Sequence, residues 1–144
     1  MPLPLAFVFI VVDTNRMIAA LVKDSTSRII LFNQNFEFIT PDYAISEIQK
    51  HKNELKSKTN LNDEEFDILL VLIFENIKII PKSDYEDSIN GCKKDMDDSD
   101  DIPILALAIS AKVDGIWTHD PHFKKQKKAK VFTNTDMLKL GGNK

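Results

Sequence analysis

The chain has 144 residues, 43% of them hydrophobic, enough for one compact core and too few for two comfortable domains. Its formal charge of −3 conceals two poles, because acids crowd Asp95 to Asp101 while lysines crowd Lys124 to Lys130. The single cysteine, Cys92, excludes an internal disulfide and cannot by itself anchor a metal, which fits a reducing cytoplasm.

The apolar opening from Met1 to Val12 lacks the basic start and small-residue cleavage site of a signal peptide. It is also short of the roughly 20 residues that span a bilayer, and no later segment is apolar for long enough to be a membrane helix. Ala6 to Val12, an unbroken run rich in β-branched residues, therefore reads as a central parallel strand covered on both faces. Met17, Ile18, Leu21 and Val22 then fall at helical spacing, and after a polar break at Lys23 to Ser25 a second short helix carries Ile29, Ile30 and Phe32. These apolar residues can supply a dimer face as readily as core.

Phe36 to Thr40 reads as a strand, with Thr40 capping and Pro41 opening the next helix, which carries Tyr43, Ile45, Ile48 and Leu55. Asn60 or Asn62 caps a further helix that buries Phe66, Leu69, Leu70, Ile73 and Phe74. Lys78 to Pro81 is a short strand, and a polar helix is expected over Ser83 to Lys94, weakened by Gly91. Ile104 to Ala111 is apolar nearly all round and should be a buried helix. A turn at Asp114-Gly115, a strand over Ile116 to Thr118, a short lysine-rich helix and a strand over Lys130 to Thr133 complete the pattern. Strands alternating with helices predict a single α/β domain over residues 1–140, with a mostly parallel sheet of about four to five short strands and a frayed tail at 141–144.

In such a sheet, ligands bind in the crevice at the carboxyl ends of the strands. Asp13 directly follows the first strand, and Asp120 follows Ile116-Trp117-Thr118 by one residue. Each alone reads equally well as a helix cap. Asp101 opens the buried helix, where capping and a solvated acidic loop with Asp97, Asp98 and Asp100 compete with a ligand role. The loop is no EF-hand, because Asp100 stands where glycine is required and Ala106 where the bidentate glutamate belongs. Glu47, two turns into its helix, taken alone reads as an exposed glutamate.

If the four carboxylates meet, their repulsion demands cations, and hard oxygen donors select one or two Mg²⁺ or Mn²⁺ ions. Such ions bind a phosphodiester and activate water for in-line displacement. Lys124, Lys125, Lys127 and Lys128, with Arg16 as a lesser candidate, are placed to contact a nucleic-acid backbone, although a charge run also serves as a solvated helix face. Thr14, Asn15 and Thr118 offer hydrogen bonds that orient a carboxylate. His51, His119 and His122 show no metal-binding spacing, Cys92 has no evident catalytic partner, and the four glycines form no phosphate loop.

Four segments together resemble the PIN-domain ribonucleases, including their VapC-like toxin branch: Val11-Val12-Asp13-Thr14-Asn15, Thr40 to Ile48, Asp100 to Ala108, and Ile116-Trp117-Thr118-His119-Asp120. The resemblance spans nearly the whole chain. It implies a three-layer PIN-like fold in which Asp13, Glu47, Asp101 and Asp120 bind metal and Asn15 and Thr118 support them. It also implies Mg²⁺- or Mn²⁺-dependent cleavage of single-stranded RNA, homodimers in many members, and neutralisation of some members by an antitoxin. Asp98 and Asp100 stand close enough to Asp101 to compete for the third acidic role, and His119 occupies a place expected for a smaller residue.

Two alternatives stand beside this reading. A receiver-type signalling switch would need paired acids after the first strand, an acceptor aspartate on a middle strand and a lysine ending the last one; here Asp13 is single, Ile80 leads to Pro81, and Phe132 leads to Thr133. A PIN-like module that only binds RNA or a protein partner is the other.

Overall fold

A computed structural model describes residues 7–22 and 24–142. Residues 1–6, which include the start of the expected first strand, and the last two residues of the expected tail lie outside them. The elements are β1 (Val8–Val12), α1 (Thr14–Val22), α2 (Ser25–Leu31), β2 (Phe36–Pro41), α3 (Asp42–Lys50), α4 (Lys52–Ser57), α5 (Asp63–Glu75) and β3 (Ile77–Ile80). After these come α6 (Ile89–Cys92), α7 (Ile102–Ala111), β4 (Gly115–Trp117), β5 (Val131–Phe132) and α8 (Asn134–Leu140).

The five strands form one wholly parallel sheet in the order β3-β2-β1-β4-β5. Successive side chains of a strand point to opposite faces, so each central strand feeds two cores. Ile10, Val12, Phe38 and Trp117 join Met17, Leu21, Ile48, Phe66 and Met137 on one side. Val11, Ile39 and Ile116 join Tyr85, Phe123 and the nearly all-apolar α7 on the other. The result is the expected three-layer α/β architecture, and it explains why β1 had to be apolar at every position.

Several local expectations change. Thr40 does not cap a helix: it lies within β2 fully buried, its hydroxyl donates to the Val12 carbonyl at 3.0 Å, and Pro41, the last residue of β2, is the residue before α3. Bonding to the neighbouring strand won over local capping because both groups are buried there. The helix expected to run through Leu55 breaks at His51 into α3 and α4. Asn62, rather than Asn60, caps α5, in a reciprocal capping box with Glu65. Phe66 and Ile73 of α5 are buried, whereas Leu69, Leu70 and Phe74 are only half so.

The polar helix over Ser83 to Lys94 is instead two 3₁₀ turns followed by the single turn of α6. The lysine-rich helix is likewise a 3₁₀ turn, Pro121–Lys125. Helix α8 was not anticipated, although Thr133 and Asp136 carry the capping-box signature at its start. The Gly141 carbonyl beyond α8 accepts bonds from the Asn33 and Asn35 side chains. Met17 is core, while Ile29 and Phe32 are exposed.

Gly115 opens β4 beside the Phe132 ring of β5, and an added Cβ would collide with the edge of that ring. Overpacking of this kind costs about 1–3 kcal/mol. Gly115→Ala is therefore expected to lower the melting temperature by roughly 3–10 °C. A Gly115→Ala/Phe132→Leu double variant, which opens the space, should lose less than the sum of the single changes; strict additivity would show that this contact is not the cause.

Candidate active site

Going outward from β1, the chain places β2 on one side and β4 on the other, so the sheet reverses direction of winding between β1 and β4. Ligand crevices open at the carboxyl ends of strands at such a reversal. Asp13 sits there: its N–H extends the ladder by donating to the Trp117 carbonyl at 3.0 Å, and the residue is only 5% exposed. On β4's side the buried Thr118 hydroxyl donates to Asp13 Oδ2 at 2.6 Å and accepts from the Asp120 N–H at 3.0 Å. Asn15 Nδ2 reaches the same hydroxyl at 3.4 Å. One threonine thus ties together the strand ends that carry two of the acids.

Asp101 enters from the N-terminal end of α7, 7% exposed. The capping explanation fails for it, because its side chain makes no cap bond. Its Oδ2 is buried without a hydrogen-bond partner among the described residues, with His122 Nδ1 3.5 Å away. An unpaired buried carboxylate oxygen is costly and calls for a ligand. Burial, reinforced by the charges of Asp120, Asp13 and Asp98 and opposed by His122, pushes the Asp101 carboxyl up to about 7. Burial also raises the Asp13 carboxyl, against the stabilising bonds from Thr118 and the Thr14 backbone.

Asp13, Glu47, Asp101 and Asp120 line one cleft of about 260 Å³ with Thr14, Asn15, Ile18, Tyr43, His51 and Asp100. Glu47 is oriented by Tyr43, whose hydroxyl donates to Glu47 Oε1 at 3.0 Å and to Asp100 Oδ1. One phenol proton cannot serve both carboxylates at once, and the Asp100 bond, with burial and Glu47, raises the Tyr43 phenol above its ordinary value. Asp120 is partly a cap, since its Oδ1 accepts from the His122 N–H at 2.9 Å. Asp98 and Asp100 are exposed, and Asp98 caps the turn before α7. Burial and the unpaired oxygen thus distinguish Asp101 from its acidic neighbours.

The hard oxygen donors, the raised carboxyls and the orphaned Asp101 oxygen all fit a divalent cation of the Mg²⁺ or Mn²⁺ type, which would neutralise the repulsion. Thr118→Val, nearly the same shape without the hydroxyl, should free Asp13 to rotate. Loss of such an orienting bond typically lowers metal affinity about 10–100-fold. Titration of Mn²⁺ followed by thermal shift checks this; unchanged affinity would remove Thr118 from the site.

The basic candidates divide. Arg16 is largely committed, its guanidinium bonding Asn15 Oδ1 at 3.1 Å and Ser27 Oγ at 3.4 Å and lying 3.8 Å from Asp24. Lys125 pairs with Asp97 at 2.6 Å and Lys128 with Asp95 at 2.8 Å, so the acidic and basic poles of the sequence face each other in space. Lys124 and Lys127 are exposed.

Sequence reasoning missed two site residues. Tyr43 had only an unremarkable place, four positions before Glu47. His122 lies with Nδ1 3.3 Å from Asp120 Oδ1 and 3.5 Å from Asp101 Oδ2. The available signal was Asp120-Pro121-His122, a spacing that a 3₁₀ turn folds back on itself. His119, by contrast, accepts the Asn134 N–H at 3.1 Å on Nε2 and is not among the cleft residues.

The family model described as PIN domain matches residues 11–135. VapBC2 from Rickettsia felis, solved bound to a DNA fragment from its promoter, contains a chain similar in fold, with a TM-score of 0.63 and 17% identity over 87% of this chain and 98% of that one. Curated proteins offer no significant match.

Proposed function

Because the chain belongs to the PIN-domain family, we propose that it is a Mg²⁺- or Mn²⁺-dependent endoribonuclease that cleaves single-stranded RNA in the cleft between β1 and β4. The observation that carries this reading is the buried Asp101 oxygen left without a partner in a cleft lined by Asp13, Glu47 and Asp120. A module that only binds RNA or protein has no use for such a costly arrangement.

When bound, the metal would supply neutralising charge to the phosphodiester and acidity to the attacking water. Asp13 and Asp101 would hold the cation, and the Thr118 hydroxyl, bonded to Asp13 Oδ2 at 2.6 Å, would keep Asp13 from reorienting. Asp120 keeps one oxygen on the His122 N–H and offers the other. Glu47, steered by Tyr43, closes the side of the cleft toward α3. Lys124 and Lys127 contact the RNA backbone; Lys125 and Lys128 can exchange weak surface pairs for phosphate.

In the cell we read the chain as a cytoplasmic toxin held in check by an antitoxin. The fold likeness to the Rickettsia felis VapBC2 chain supports this. Among the described residues no helix is long and apolar enough to cross a membrane. The test is incubation of a mixed single-stranded RNA pool with purified chain and Mg²⁺ or Mn²⁺. Cleavage that EDTA abolishes supports the reading; an intact pool in the presence of metal overturns it.

A further inference from the structure

The four-carboxylate cleft is not where donor atoms crowd most closely. Among the described residues, one set of three has ligand atoms all within 4.8 Å of one another: Asp98, Asp101 and His122. Neighbouring donors around a tetrahedral ion stand about 3.3 Å apart when metal–ligand distances are about 2.0–2.2 Å. Small side-chain adjustments of this trio would therefore suffice.

Two further observations point to a ligand here. The Asp101 oxygen near His122 is one of two buried side-chain oxygens without a hydrogen-bond partner among the described residues; the other, on Asp95, has Lys128 Nζ at 2.8 Å. His122 Nδ1 lies 3.3 Å from Asp120 Oδ1, which also accepts the His122 backbone N–H at 2.9 Å, and 3.5 Å from Asp101 Oδ2, so it faces two carboxylates before any ion arrives. Half of the imidazole remains open to solvent, which leaves an entry path.

We propose that Asp98, Asp101 and His122 form a second cation position beside the four-carboxylate cleft, and that it takes a borderline transition metal such as Zn²⁺ in preference to Mg²⁺. The chemistry sets the preference: an imidazole nitrogen suits Zn²⁺ and similar borderline transition metals, whereas Mg²⁺ holds to oxygen and keeps its waters. Asp101 belongs to both positions and is the shared element, so the proposal rests on reading Asp101 as a cation ligand.

The experiment titrates metal-free full-length chain with Zn²⁺ and, separately, with Mg²⁺ by calorimetry, and records the visible spectrum of the Co²⁺-loaded chain. His122→Ala is expected to weaken one Zn²⁺ site by at least about 10-fold and to change the Co²⁺ spectrum, while Mg²⁺ affinity stays the same. Asp98→Asn, a change at an exposed side chain, should act in the same direction and guards against a folding defect in the first variant. Identical Zn²⁺ titrations for wild type and both variants overturn the proposal. So does a parallel fall in Zn²⁺ and Mg²⁺ affinity, which would make His122 an orienting group for Asp120 and Asp101. Zn²⁺ binding through His122 in a chain that cleaves no RNA would leave this site standing and remove the nuclease reading. Mg²⁺-dependent cleavage without it would do the reverse.

Discussion

Asp13→Asn is expected to lower Mg²⁺- or Mn²⁺-stimulated RNA cleavage by at least about 10²–10³-fold, the range seen when one pre-organised electrostatic group is removed from an active site. The amide fills nearly the same volume and can still bond the Thr118 hydroxyl that meets Asp13 Oδ2 at 2.6 Å. It removes a charge and replaces an anionic metal donor with a neutral one. Because Asp13 is buried and desolvation raises its carboxyl, neutralising it should not cost stability. The activity loss should therefore come with an unchanged or higher melting temperature in EDTA. Expression of the wild-type chain should arrest growth and the variant should not, if the toxin reading holds. A variant that cleaves as well as wild type would remove Asp13 from the chemistry, and residual metal-independent cleavage in both would point to a contaminating nuclease.

What could be read in advance was whatever depends on neighbours along the chain. An apolar run of β-branched residues needs cover on both faces, so β1 as a central strand followed from its own composition, and Asp13 at its end followed from β1. Asp120 could be placed by the same logic from β4. Asn62 opposite Glu65 is a local reciprocal bond, and it formed.

What could not be read was pairing across the fold. Thr40 looks like a cap in sequence, yet its hydroxyl is used 28 residues away on Val12. The acidic and basic runs read as separate poles because nothing in the chain says that Lys125 will meet Asp97. The histidines were set aside on spacing alone, and spacing says nothing of Asp101 arriving beside His122 from another element. The third acid stayed open for the same reason, since Asp98, Asp100 and Asp101 differ mainly in burial, a property of how α7 docks on the sheet.

Asp101 gives the second large expected effect, and it has opposite signs with and without metal. At pH 8 and in EDTA, Asp101→Asn should melt higher than wild type, because the variant removes a buried charge that faces Asp120, Asp13 and Asp98 and whose Oδ2 is unpaired. Relief of an unsatisfied buried group is worth about 1–3 kcal/mol, or roughly 3–10 °C for a chain of this size. With Mg²⁺ the order should invert. An ion that binds only the folded state stabilises it by about 2.7 kcal/mol at a concentration 100 times its Kd, and the wild type, with its full set of carboxylates, captures most of that while the variant captures little. The same substitution should abolish cleavage, so the residue that weakens the metal-free protein is the one its chemistry requires, a trade expected of catalytic sites. Two melting curves for each protein decide the matter. If Asp101→Asn melts lower than wild type in EDTA as well as in Mg²⁺, the carboxylate is a structural acceptor rather than a metal ligand, and the repulsive cluster is not the origin of the cleft's charge.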